Sequence, residues 1–331
     1  MMQNRNVLKK SIIPIILSLF GIMGISSCNR ESQTLPLLRF EKVLFGNPPE
    51  KLHAIFTEDS TYNSPLLYIH PNNGEYMTLL MGFATDPTMQ DIYRITDSCF
   101  SDLKWLEQSL NKSLRKAEKE HPDIHYSKLI TLVSGAFDYS NRVFCTRDHL
   151  AISIDQYAME HYEKYGYFGT PLYLIRLCDT AYMLRDCMSA IAKQYILTPH
   201  TTNENLSLLD HSIAEGKVLY FLDKVLPNTP EHIKIRYTPE QWKWMVENEK
   251  NVWSYLLQND LLYCSDYNRF HNFIDDAPKT NAFRDSAPRT TDYIGWQIVK
   301  SYAERTKCTM KELFDNTSSQ DILNRSAYHP S

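Results

Sequence analysis

The sequence predicts an α+β chain, mainly helical, with one small antiparallel sheet. Three observations predict it. Apolar residues recur at helical spacing over 101–120 and again through most of the chain after 171, while short β-type runs cluster between 126 and 155. The composition, 43% hydrophobic and 22% charged, supplies enough apolar side chains to fill the core of a globular domain.

Ahead of that domain stands a leader. Arg5, Lys9 and Lys10 precede an apolar run from Ser11 to Ile25 that Pro14, Gly21 and Gly24 interrupt. The run is shorter than the roughly 20 residues that span a bilayer and has the order of a secretory signal. It ends in Ile25-Ser26-Ser27-Cys28, a lipobox, in which two small residues ahead of a cysteine suit a lipoprotein signal peptidase. Residues 1–27 are therefore expected to be removed, leaving Cys28 as a lipidated N-terminus. Three acyl chains on one residue, palmitate among them, at about 0.8 kcal/mol per buried methylene, exceed what stable anchoring needs. Residues 28–36 read as a tether, and 37–331 as a single domain opened by Leu37-Leu38-Arg39-Phe40-Glu41.

Within the domain, Leu103, Leu106, Leu110, Leu114 and Ala117 give 101–120 an amphipathic helix that stops near Pro122. Between Lys112 and Lys119 the cations share the segment with Glu118 and Glu120, as on a solvated helix face. From Tyr126 to Asp155, three runs predict a small meander: Leu129 to Val133, Arg142 to Cys145, and Leu150 to Ile154. Helices follow over Pro171 to Tyr195, Leu206 to Leu226, Pro239 to Leu262, Tyr293 to Thr306 and Met310 to Asn316, several opened by proline. The helix from Leu206 is apolar nearly all round, so Glu215 within it needs a partner. Gly216 weakens a helix interior by roughly 1 kcal/mol, which points to a second backbone passing close by. The helix from Pro239 carries Trp242, Trp244, Met245, Trp253, Leu256 and Leu257, with Glu247, Asn248 and Glu249 set among them.

Several function classes are excluded. The chain is −4, and losing Arg5, Lys9 and Lys10 with no acid among 1–27 leaves −7, a poor partner for nucleic acid. No phosphate-loop, GxGxxG, GxSxG or HExxH pattern occurs, and ten glycines leave little room for such loops. Six cysteines besides Cys28 include no CxxC. Cys178 and Cys187, on one expected helix, stand about 13 Å apart along its axis, too far to bridge. His121 with His125, and Cys145 with His149, are four apart but lack a second half-site. His211 and Glu215, one turn apart on a buried face, are the most suggestive pair, read first as a structural polar pair. No cofactor and no small-molecule substrate is indicated.

The C-terminal half carries a resemblance. Glu215-Gly216-Lys217-Val218-Leu219-Tyr220-Phe221-Leu222-Asp223, Tyr237-Thr238-Pro239, Asn248-Glu249 with Trp253, and Ile294-Gly295-Trp296-Gln297-Ile298-Val299-Lys300-Ser301-Tyr302 resemble the gliding-motility lipoprotein B family of the Bacteroidota. Upstream, Val133-Ser134-Gly135 and Ile152-Ser153-Ile154-Asp155-Gln156-Tyr157 extend it across most of the mature chain. That family is distantly similar to zincin-type metallopeptidases. At the corresponding place this chain has Ala214-Glu215-Gly216-Lys217-Val218, without either ligand histidine, while Glu249 is similar to the third ligand of glutamate-type zincins.

The resemblance implies a degenerate peptidase fold with no metal and no catalytic residue, its Glu215 reused as an anchor that Lys217 neutralises. It implies a lipid-anchored envelope protein that supports gliding or the associated secretion machinery by binding envelope partners. Asn29 after Cys28 is not the aspartate of inner-membrane retention, and Asn29-Arg30-Glu31-Ser32-Gln33 lacks the paired acids of a surface-export signal. The expected location is the outer membrane, with the domain facing the periplasm. The rival expectation is a zinc-dependent hydrolase with an atypical site at His211, Glu215 and Glu249.

Overall fold

The computed structural model describes residues 34–62, 64–67, 69–135, 139, 142–196 and 206–330. The leader and Cys28 lie outside the described residues. Residues from Thr34 onward form a compact unit of their own.

The unit opens with strand β1 (Leu37–Arg39), followed by helices α1 (Phe40–Gly46), α2 (Pro49–Glu58), α3 (Gly74–Thr85), α4 (Pro87–Cys99) and α5 (Lys104–Glu120). Proline at the first turn starts α2 and α4, and the side chains of Asn73 and Asp86 cap α3 and α4. Strands β2 (Lys128–Leu132), β3 (Val143–Cys145) and β4 (His149–Ser153) follow. The rest is helical: α6 (Leu172–Ile175), α7 (Thr180–Tyr195), α8 (Leu208–Val225), α9 (Glu231–Lys234), α10 (Pro239–Gln258), α11 (Tyr267–Phe270), α12 (Thr290–Thr306), α13 (Met310–Asp315) and α14 (Ser319–Ser326). Among the described residues, no helix is long and apolar enough to cross a membrane.

The chain is thus α+β and mainly helical, but the sheet is mixed rather than antiparallel. Its order is β1-β2-β4-β3, with β1–β2 and β2–β4 parallel and the β3–β4 hairpin alone antiparallel. The reason lies in β4, whose Leu150, Ala151 and Ile152 are all fully buried. A continuous apolar run is the mark of a strand buried on both faces, and such a strand sits inside a sheet rather than at its edge. β3 takes one side by a tight turn and β2 takes the other. At the ends of β2 and β4, the Asp155 carboxylate accepts the backbone N–H groups of Ser134 and Gly135, both at 3.0 Å. Gly135 has φ 100, so the two upstream blocks of the resemblance meet at a turn that favours glycine.

The expected helix from Pro171 to Tyr195 is two helices. The Asp179 side chain accepts the N–H of Ala181 at 2.7 Å and restarts the chain as α7, which leaves Cys178 in the turn before it and Cys187 within it. The two cysteines therefore do not share a helix. All six described cysteines are free thiols.

The centre of the helical part is the joint between α8 and α12. A Cβ on Gly216 would lie 2.4 Å from the carbonyl carbon and oxygen of Gly295, and one on Gly295 would lie 1.8 Å from the carbonyl oxygen of Ser212. Backbone meets backbone, as the cost of Gly216 in a helix implies. Next to Gly295, Trp296 is fully buried and its indole N–H donates to Asp223, two turns beyond Gly216, at 2.9 Å. Asp223 also pairs with Lys234 at 2.8 Å and Lys300 at 3.2 Å. The two strongest blocks of the resemblance are therefore the two sides of one helix crossing.

Candidate functional site

Of the residues that the sequence singles out, Glu215 sits among charges. On α8 it faces α7, where the Lys193 ammonium lies 3.0 Å and the Arg185 guanidinium 3.6 Å from its carboxylate. Burial acts to raise its pKa, but Lys193 and Arg185 prevail and hold it well below the usual carboxylate range. The partner that Glu215 needs is thus supplied by α7. Lys217 is not that partner: it is buried, donates to the Asn316 carbonyl at 2.6 Å, and closes the C-terminal end of α13. Two residues from Glu215 along a helix, it points to a different neighbour.

Glu215 is the edge of a larger network whose centre is Asp186, only 3% exposed at its side chain. One Asp186 oxygen accepts from Arg185 at 3.2 Å and from Arg236 at 2.7 Å. The other accepts the Tyr157 hydroxyl at 3.0 Å and lies 3.3 Å from Arg142. Burial would raise this carboxyl, yet the three guanidiniums hold it far below the usual range. Arg185 itself is lowered to about 10, first by burial and then by its neighbour Arg236. Its Nε donates to the Lys234 carbonyl at 2.6 Å, which ties α7 to α9. Arg289, left-handed at φ 45, lies 3.3 Å from Asp276 and 3.4 Å from Asp292 and donates to the Ile235 carbonyl at 2.8 Å. Burial pushes Asp292 up to about 7 against the pull of Arg289, and the negative charge of Glu215 adds to the rise.

A cavity of about 90 Å³ opens beside the network, lined by Tyr139, Arg142, Leu174, Leu177, Arg236 and Asp276. Sequence reasoning missed Asp186 and its arginines. The signal was present in Arg185-Asp186, two charges between Met183 and Met188 in a window that is otherwise largely apolar.

Asp292 is expected to make the network pH-sensitive. Its raised pKa means that the folded state binds this proton more tightly than the unfolded chain does. The stabilisation is complete below the unfolded value near 4 and is lost as pH rises through about 7. Asp292→Asn should therefore remove that slope: urea unfolding of the two proteins from pH 4 to 8 should show wild type losing stability relative to the variant as pH rises. Parallel curves would put Asp292 ionised throughout.

The other two candidates lie elsewhere. His211 packs its ring on Phe270, centroids 5.6 Å apart, and burial lowers its pKa. Glu249 on α10 accepts the Tyr328 hydroxyl at 2.6 Å and the Tyr293 hydroxyl at 3.3 Å, joining α10 to α12 and to the C-terminal tail. His211, Glu215 and Glu249 each serve a different neighbour and do not converge. Among the described residues, no group of three or more His, Cys, Asp or Glu side chains is placed to hold a metal ion.

The remaining pairs are also separated. His121 is buried between Tyr195 and Phe314, whereas His125 is exposed beside Glu118. His149 meets the Ser64 hydroxyl at 2.9 Å, and burial pushes the Cys145 thiol up to about 12, which keeps it protonated and unreactive. What the arrangement can do chemically is hold α7, α8, α9 and the start of α12 in one geometry. A carboxylate already shared by three guanidiniums is a poor base.

Comparison with known proteins gives one finding. No curated protein and no solved structure matches the chain significantly, so the likeness to zincins stays an expectation from the resemblance alone. A family model described as gliding motility protein GldB matches residues 27–330, nearly the whole chain after the leader. The matched range spans the α8–α12 joint and the Glu215 edge of the ion network, and on that extent this chain belongs to the GldB family of gliding-motility lipoproteins.

Proposed function

We propose that the protein is a non-catalytic lipoprotein that supports gliding or the associated secretion machinery by binding other envelope proteins. In this reading, acyl chains on Cys28 hold it at the outer membrane and the domain faces the periplasm. The observation that carries the proposal is the occupation of Glu215. The carboxylate that a zincin would use as its general base is here neutralised by Lys193 and Arg185, and His211 and Glu249 are turned to other partners. A catalytic zinc needs three protein ligands around an open position, and the side chains paired with Glu215 are cations, which cannot serve as ligands. The same charges serve a binding protein well, because they fix the helices that present its surface.

Zinc analysis by mass spectrometry tests the reading. The chain from Asn29 to Ser331, purified without chelator, is expected to carry no stoichiometric zinc, and Glu215→Ala is expected to lower the melting temperature without changing metal content. Stoichiometric zinc that Glu215→Ala abolishes would make the protein a hydrolase. The anchor is tested separately: Cys28→Ala should abolish acyl labelling and release the protein from the membrane fraction. Protease digestion of the domain on intact cells would place it on the surface instead.

A further inference from the structure

Every exposed residue of α5 is a cation, a tryptophan or a glutamine: Lys104, Trp105, Gln108, Lys112, Arg115 and Lys119. At 100° per residue they fall within roughly a third of the helix circumference. The acids of the helix lie off this arc and are only partly exposed. Glu107 accepts the Leu37 N–H at 2.7 Å, Glu118 lies 3.5 Å from His125, and Glu120 stands beyond the far edge. Asp102 caps the N–H of Lys104 at 2.8 Å and marks the end of the stripe. Among the described residues, none of the four exposed cations is ion-paired to a carboxylate. The mixed, solvated face that the sequence suggests is thus an unmixed basic one, on a chain whose mature charge is negative. Trp105 is 43% exposed, whereas Trp296 is fully buried and Trp242, Trp244 and Trp253 are partly so. An indole half out of water among cations suits a bilayer interface, where its ring enters the headgroup layer.

The tether is fastened to this same helix. The Leu35 N–H donates to Asn111 at 2.8 Å, Asn111 donates back to the Leu35 carbonyl at 2.9 Å, and Leu37 is held by Glu107. Cys28 is seven residues from Leu35, and seven extended residues reach at most about 25 Å. A lipid on Cys28 therefore confines α5 to the neighbourhood of the membrane. Over so short a link, even a weak surface contact is made at high effective concentration.

We infer that the exposed face of α5 docks on anionic phospholipid headgroups of the membrane that holds Cys28, an inference that rests on the lipid-anchor reading. The lipid sets distance and α5 sets orientation. The surfaces of the domain far from α5 then face away from the bilayer, toward partners.

The test uses the unlipidated chain from Asn29 to Ser331, which keeps every described residue, including the Leu35 and Leu37 bonds to α5. Cosedimentation is measured with phosphatidylcholine vesicles, with and without phosphatidylglycerol, at low and physiological salt. Wild type is expected to bind only the anionic vesicles, and less as salt rises. Each cation near an anionic surface contributes roughly equally, so Lys112→Glu with Arg115→Glu and Lys119→Glu should lower the partition at least about a hundredfold, to the neutral-vesicle baseline. Trp105→Ala should weaken it several-fold and leave the salt dependence intact. Lys243→Glu with Lys250→Glu, exposed on α10, should bind as wild type. The inference is overturned by wild type that ignores phosphatidylglycerol, by a triple variant that binds like wild type, or by an α10 variant that loses as much. Because no acyl chain is present, any of these outcomes leaves the Cys28 anchor untouched, and that anchor stands or falls on acyl labelling.

Discussion

Gly295→Ala is expected to lower stability by about 3 kcal/mol or more, the upper end of what overpacking a core costs. A methyl group there would sit 1.8 Å from the Ser212 carbonyl oxygen, against backbone that cannot rotate away as a side chain can. Relief requires α8 and α12 to separate, and their separation unpacks Trp296 and strains its hydrogen bond to Asp223. Gly216→Ala meets Gly295 backbone at 2.4 Å and should act in the same direction. Gly82 supplies the control. It lies in α3 with nothing within 4 Å of an added Cβ, so Gly82→Ala should stabilise by roughly 0.5–1 kcal/mol through helix propensity. Urea melts of the three variants at neutral pH check the set. A Gly295→Ala protein as stable as wild type would mean that the two helices are not in backbone contact.

Asp186→Asn should cost about 3–5 kcal/mol, the range for removing one partner from a buried ion pair. The amide keeps the shape but leaves Arg142, Arg185 and Arg236 facing one another around a neutral group. Of these, Arg142 and Arg185 are almost wholly buried, so water cannot take over the solvation of their charges. The pH dependence has a definite sign. A carboxyl held far below its unfolded value contributes its full stability above about pH 4 and loses it as pH falls toward the folded value. The gap between wild type and Asp186→Asn should therefore be flat from about pH 5 upward and narrow below about pH 4. Glu215, also held low, adds acid sensitivity of the same sign in both proteins. A gap under about 1 kcal/mol at neutral pH would show that the guanidiniums have other counter-charges within reach.

Buried charges add little net stability but penalise arrangements in which they are unpaired, so the Asp186 network restricts how α7, α8 and α9 can pack together.

What the sequence determined by itself was local. α5, α8, α10 and α12 could be read because their periodicity repeats within a few residues. Their starts are set locally as well, since the capping boxes that open α8 (Ser207 with Asp210) and α10 (Thr238 with Gln241) close within one turn. The need of Glu215 for a partner, and of Gly216 for a close backbone, was equally local, since each is a cost that its own helix cannot relieve.

The identity of the partners was not local. Lys193 lies on a separate helix, Gly295 is 79 positions further on, and Asp186 gathers arginines from 142, 185 and 236. The parallel pairing of β2 with β4 likewise depends on which strand is covered on both faces, a property of the packed molecule. The face of α5 shows the same division. Periodicity placed a helix there, but only the packing of Glu107 against the tether and of Glu118 beside His125 decided that its exposed arc holds no acid. Short-range patterns record what each element requires; which distant residue satisfies it is decided by tertiary contact, where burial makes an unpaired charge or an overfilled crossing too costly to keep.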